Sequence, residues 1–276
     1  MLPIPTRSLS DGRVIPVLGF GTYPMDDAEA EIAVATALDL GYRLIDTASL
    51  YGNELGVGRG LARSGVERSE MFVTTKLRGG EHGFDQTIAG LKDSLTRLDL
   101  DYVDLYLIHW PLPRVNKYVD SWRAMIRLRD EGLIRSIGVS NFNEAHLERL
   151  AVETGVVPVV NQIELHPAWA QSHLREVDAR YDIVTESWSP LGRDLPMGDY
   201  PAVADAAVRH HKTPAQIVLR WQLQIGALPI PKASSIQHQR ENLDVFSFEL
   251  SSEEMAAIAA IAQSRMDEDP EVFEEF

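Results

Sequence analysis

Four polar residues, Asp46, Tyr51, Lys76 and His109, stand one after another at or just beyond the downstream ends of short apolar runs. Together they suit one chemistry, the protonation of an oxygen that turns negative as hydride reaches its carbon. A tyrosine is a weak acid, with an ordinary pKa of about 10, so Tyr51 donates near neutrality only where its phenolate is stabilised. Lys76, as a nearby cation, would lower that pKa. Asp46 would pair with Lys76 and keep its ammonium in place and charged when desolvated. His109 would hydrogen-bond a carbonyl oxygen and orient it. The set supplies no nucleophile. Taken singly, each residue also reads as a helix cap, a loop aromatic, a solvated strand end or a satisfied core histidine; their succession along the chain is what points to catalysis.

The runs are Arg43-Leu44-Ile45-Asp46, Met71-Phe72-Val73-Thr74-Thr75-Lys76 and Tyr102-Val103-Asp104-Leu105-Tyr106-Leu107-Ile108-His109, each followed by a loop and a helix-like stretch. Strand, loop, helix is the repeating unit of parallel α/β folds, whose strands open their carboxyl ends on one face. Period two places His109 on the face of Val103, Leu105 and Leu107, aimed into the mouth of a barrel. Ser10-Asp11-Gly12 reads as a hairpin turn that would plug the opposite end. Further buried strands are expected at residues 17–21, 134–140, 157–162, 183–187 and 228–231. Helical spacing of apolar residues covers 28–40, 84–98, 119–131, 144–153, 172–180 and 214–224. A last helix begins at Ser251, with Glu254 at capping-box spacing. Eight strands alternating with helices predict a (β/α)8 TIM barrel, one domain over residues 1–276, ahead of an open doubly wound sheet. The acidic tail after Arg265, with Phe273 and Phe276, reads either as a frayed end or as a loop over the active-site face.

Composition narrows the function classes. The formal charge of -15 disfavours nucleic acid or an anionic membrane as the main partner. No cysteine occurs, which removes disulfides, thiolate catalysis and thiol metal ligands. The amino terminus lacks the features of a signal peptide, and no apolar stretch is long enough to cross a bilayer. A cytoplasmic protein with a small-molecule substrate is the expectation.

At this point the chain resembles the aldo-keto reductase superfamily over nearly its whole length. The resemblance rests on Gly41-Tyr42-Arg43-Leu44-Ile45-Asp46-Thr47-Ala48 with Tyr51-Gly52-Asn53-Glu54 and Val57-Gly58, on Ile137-Gly138-Val139-Ser140-Asn141-Phe142, and on Asn161-Gln162-Ile163-Glu164-Leu165-His166-Pro167. It implies a nicotinamide dinucleotide across the carboxyl-terminal face, with Tyr51 as proton donor and Asp46, Lys76 and His109 as its partners. Ser140, Asn141 and Gln162 would hold the carboxamide, and Trp188 would stack on the ring where many relatives carry tyrosine. Gly21, Thr22, Ser189, Leu191 and Gly192 would add cofactor contacts, as would Lys232, Ala233, Ser234, His238, Glu241 and Asn242. Trp188 and Ile108-His109-Trp110-Pro111 make the chain most similar to the branch containing bacterial 2,5-diketo-D-gluconic acid reductases.

The third family motif departs from its pattern. Ala233 stands where serine or threonine is usual, and His238 where most relatives place arginine. A 2′-phosphate prefers a forked guanidinium, so the expectation is NADPH as main coenzyme with measurable NADH use. Tyr23, Trp110 and Tyr51 would form an aromatic wall around the substrate. Arg78 either draws an anionic carbonyl compound to the mouth or is a solvated loop residue. The glycines at Gly56, Gly58 and Gly60 read as helix packing, not a dinucleotide fingerprint, and His210-His211 is not expected to bind metal. The resemblance implies a monomer reducing carbonyl compounds, such as keto-sugar acids. The alternatives are a detoxifying reductase of aldehydes and α-dicarbonyls such as methylglyoxal, and a non-catalytic nucleotide-sensing barrel.

Overall fold

The computed structural model describes residues 3–265 and 269–275. A hairpin of β1 (Thr6–Ser8) and β2 (Val14–Pro16) precedes eight parallel strands. These are β3 (Gly19–Gly21), β4 (Leu44–Asp46), β5 (Phe72–Leu77), β6 (Val103–Ile108), β7 (Ile134–Ser140), β8 (Val160–Glu164), β9 (Val184–Trp188) and β10 (Leu228–Pro229). Each pairs with the next in chain order. The seam closes where the Gly21 N–H donates to Pro231 O at 3.1 Å, beside a parallel bridge from Gly21 to Lys232. This is the expected barrel.

Some boundaries differ from expectation for identifiable reasons. Strand β3 starts at Gly19 instead of residue 17 because the Val17 N–H goes to Pro5 O at the hairpin. Proline supplies no ladder donor, so β8 starts only after Pro158. Strand β10 is short, but its line continues through the Ile230 N–H, which donates to Ser187 O at 3.0 Å.

The outer ring holds α1 (Asp27–Leu40), α2 (Glu54–Arg63), α3 (Phe84–Leu98), α4 (Tyr118–Asp130), α5 (Glu144–Thr154), α6 (Ser172–Arg180), α7 (Pro201–His210), α8 (Pro214–Gln224), α9 (Ile236–Leu243) and α10 (Ser252–Ala259). Apolar spacing marks neither α7 nor α9. The first is alanine-rich and short, and the second is mostly polar; both are held helical by packing against neighbouring helices, α7 against α8 and α10 and α9 against α1 and α8. The capping box of Ser251 and Glu254 forms as expected.

Two hydrophobic layers result. Leu9 and Ile15 of the hairpin enter the barrel interior with Leu44, Leu105, Leu107 and Val160, so the hairpin fills the amino-terminal end. Arg7 ties it to Gly226 O at 2.6 Å, and Arg13 to Arg135 O at 2.9 Å. Leu105 and Leu107 lead to His109 on the inner face, as period two requires. Val103 does not: it joins the outer layer between sheet and helices, at the strand entry where Leu9 and Ile15 take the interior volume.

Candidate active site

The ends of β4, β5 and β6 bring the four polar residues together. Lys76, wholly buried, donates from Nζ to Asp46 Oδ1 at 2.6 Å, to Thr47 O at 3.0 Å and to Tyr51 Oη at 3.3 Å. The Tyr51 and His109 rings meet edge to face at 5.7 Å. Such a buried ion pair persists because it is fully bonded; removing one partner typically costs about 3–5 kcal/mol.

Burial raises the Tyr51 pKa, and the Lys76 cation opposes that rise. The lowering expected from Lys76 is therefore present, but desolvation outweighs it and the phenol holds its proton. Lys76 is itself raised: burial pulls it down, and Asp46 and Tyr51 overcome that pull.

Behind this group lies a second buried carboxyl. Gln162 Nε2 donates to Asp46 Oδ2 at 2.9 Å and to Glu186 Oε2 at 3.1 Å. Burial, with Asp46 adding to it, pushes Glu186 up to about 8. Both hydrogens of the Gln162 amide are thus committed, which leaves its oxygen as an acceptor facing the cleft. Asn141, at φ 61, similarly gives its amide hydrogens to His109 O at 3.0 Å and Ser140 Oγ at 3.1 Å. Its Oδ1 accepts from Trp188 Nε1 at 2.8 Å. The donors are used internally, and acceptors remain for a ligand that offers N–H groups.

A cleft of about 670 Å³ runs from Tyr51 to Lys232, within the usual range for ligand sites. Of the expected cofactor residues, Gly21, Thr22, Asn141 and Gln162 line it, as do Trp188, Ser189, Leu191 and Lys232. Ser140 supports Asn141 from behind. Gly192, Ala233, Ser234, His238, Glu241 and Asn242 lie outside its walls: Ala233 and Ser234 in the loop before α9, His238 in its first turn, Glu241 and Asn242 in its last.

Tyr23, 5.0 Å from Tyr51 ring to ring, and Trp110 form the expected aromatic wall. Arg78 does not reach that wall; it is half-buried, and its charge acts on Glu81. The guanidinium on the cleft is instead that of Arg193, 5.3 Å above the Trp188 ring and bonded to Ser189 Oγ at 2.9 Å. Sequence reasoning missed it, although it directly follows Trp188-Ser189-Pro190-Leu191-Gly192.

The described tail, residues 269–275, lies over the cleft and is not frayed. Phe273 stacks against Trp110 at 4.4 Å, and Arg114 pairs with Glu274 at 3.6 Å. Glu275 is buried; its Oε2 accepts the Gly79 N–H at 2.6 Å, and its Oε1 sits 2.5 Å from His109 Nδ1, out of line for a hydrogen bond. Phe276 lies outside the described residues.

A profile of the aldo/keto reductase family matches residues 17–263. The chain belongs to this family. An aldo-keto reductase of Mycolicibacterium smegmatis is 48% identical over 270 residues, 98% of either chain. A crystal structure of an aldo/keto reductase from Brucella melitensis superposes with a TM-score of 0.91 at 46% identity, covering 94% of this chain and 99% of that one. A variant of Gox0644, crystallised in complex with NADPH, gives a TM-score of 0.94 at 43% identity, with 99% of both chains covered. This aldo/keto reductase is therefore an oxidoreductase of the carbonyl-reducing family, and its motifs fall where its barrel needs them.

Proposed function

We propose that the protein uses NADPH to reduce an aldehyde or ketone to an alcohol, with Tyr51 as proton donor. The observation that carries this reading is the Asp46–Lys76–Tyr51 chain beside His109, at the end of a cleft that continues to Lys232. The similarity to an NADPH-bound structure supports the coenzyme.

The residues present suit a nicotinamide dinucleotide. The remaining acceptors on Gln162 and Asn141 match the N–H groups of a carboxamide, Trp188 offers a ring face, and Lys232 offers charge at the far end. When bound, the coenzyme supplies the hydride. The protein does the rest: His109 and Tyr51 hold the carbonyl oxygen, and Tyr51 yields its proton as negative charge develops there. Lys76 stabilises the phenolate left behind, and Asp46 holds Lys76 in place. Trp110, Phe273 and Tyr23 exclude water from one side.

Keto-sugar acids were one expectation from the family branch. The walls favour the other, neutral aldehydes and α-dicarbonyls such as methylglyoxal. Around Tyr51 and His109 the lining is Tyr23, Leu50, Trp110 and Phe273, with the Glu275 carboxylate against His109, whereas of the lining cations Arg193 lies over Trp188 and Lys232 beside Glu29.

An assay of NADPH oxidation over neutral aldehydes, α-dicarbonyls and keto acids tests both levels. Tyr51→Phe is expected to lower kcat by about 10²–10⁴-fold, the usual worth of a general acid, with coenzyme affinity unchanged. Equal turnover by Tyr51→Phe would refute the role. Higher kcat/KM for keto acids than for neutral dicarbonyls would refute the substrate class.

A further inference from the structure

At the far end of the cleft, Lys232 carries a carboxylate neighbour. Its Nζ lies 2.5 Å from Ser234 Oγ and 3.5 Å from Glu29 Oε1, and Ser234 Oγ donates to that same Glu29 oxygen. Glu29 sits in the first turn of α1, where its backbone N–H is held by the N-cap Asp26 at 2.8 Å. The buried Gln239 of α9 fixes the spacing of the two segments, since its Nε2 donates to Ala33 O on α1 at 3.2 Å and to Ala233 O at 3.1 Å. The carboxylate is therefore placed by two packed helices and is not carried by a loose loop.

Two kinds of adenosine end would meet this cluster differently. A 2′-phosphate brings close to two negative charges and needs the Lys232 charge and the Ser234 hydroxyl donor, both of which Glu29 already engages. A 2′-hydroxyl brings a donor, which a carboxylate accepts. His238, at the start of α9, replaces no part of the guanidinium that would outbid Glu29. We propose that Glu29 sets coenzyme selectivity in this protein by competing with a 2′-phosphate for Lys232 and Ser234 while accepting a hydrogen bond from a 2′-hydroxyl. The proposal rests on the nicotinamide dinucleotide reading above and extends it to a residue outside the family motifs. Glu29 is 39% exposed and Lys232 35%, so water and salt screen the repulsion and the effect is a several-fold one.

Calorimetric titration of the full chain with NADP+, NAD+, 2′,5′-ADP and 5′-AMP tests it without turnover. Glu29→Gln is expected to tighten NADP+ and 2′,5′-ADP by about three- to tenfold, on the scale of exposed ion pairs. NAD+ and 5′-AMP should hold or weaken. Glu29→Ala, which cannot re-form a bond to Ser234, should shift the ratio of NADP+ to NAD+ affinity in the same direction. A ratio within twofold of the unaltered protein in both variants overturns the proposal and leaves the coenzyme reading intact. If the unaltered chain binds neither dinucleotide, the coenzyme reading fails first and takes the proposal with it.

Discussion

Burial raises the Tyr51 phenol while the ammonium 3.3 Å away opposes it, so the proton stays on oxygen until charge develops beside it. The same low-dielectric pocket acts on Glu186. In an unfolded chain that carboxyl titrates near 4.5; in the fold, burial lifts it to about 8. Between those values the folded state keeps a proton that the unfolded state has lost, so this residue makes stability fall as pH rises through the window. Glu186→Gln removes the term and keeps an acceptor for Gln162. We expect its melting temperature to vary less with pH from about 5 to 8 than that of the unaltered protein; equal slopes would place the proton elsewhere. Asp46, Tyr51, Lys76 and His109 were legible in the sequence because each stands at or just beyond the end of an apolar run. Glu186 was not legible there, since a glutamate inside a strand does not announce that both faces around it are dry.

Among elements, the tail changes the meaning of the cleft most. Its packing depends on Gly79: a Cβ there would come within 1.9 Å of Glu275 O, a backbone atom that cannot swing aside. Gly79→Ala should unseat the tail without touching Asp46, Tyr51 or Lys76. The expected result is faster proteolysis of the last residues and a carbonyl KM raised by about tenfold, on the order of 1.4 kcal/mol of lost wall contact, with coenzyme affinity kept. An unchanged KM together with unchanged proteolysis would show that the tail tolerates the extra methyl group. In the sequence the tail offered Phe273 and an acidic composition, which fit either a frayed end or a cover. Only docking against Trp110 and Gly79 distinguishes them.

On the scale of the whole molecule, the barrel converts sequence succession into spatial convergence. Strands β4, β5 and β6 are neighbours, so residues 46, 76 and 109 meet at one mouth. The outer ring must close tightly as well, and α2 does so through its glycines. A Cβ on Gly58 would lie 2.4 Å from Leu98 O, and one on Gly56 would lie 2.1 Å from Asp27 O. Helix α2 thus lies backbone-close to α1 and α3, which is the packing expected of these glycines. Gly58→Ala should cost at least about 2 kcal/mol by forcing α2 off α3. Thermal unfolding checks this, and a melting temperature equal to that of the unaltered protein would contradict the contact.

The sequence by itself determined the alternation of strand and helix, the capping of the last helix, the charge class and the four residues at strand ends, because period and local chemistry are written in neighbouring residues. It could not determine contacts between residues far apart in the chain, such as Glu29 with Lys232, Glu275 with His109 or Glu186 with Gln162. Those depend on which side chains the closed barrel leaves without water, and solvent exclusion is a property of the assembled fold.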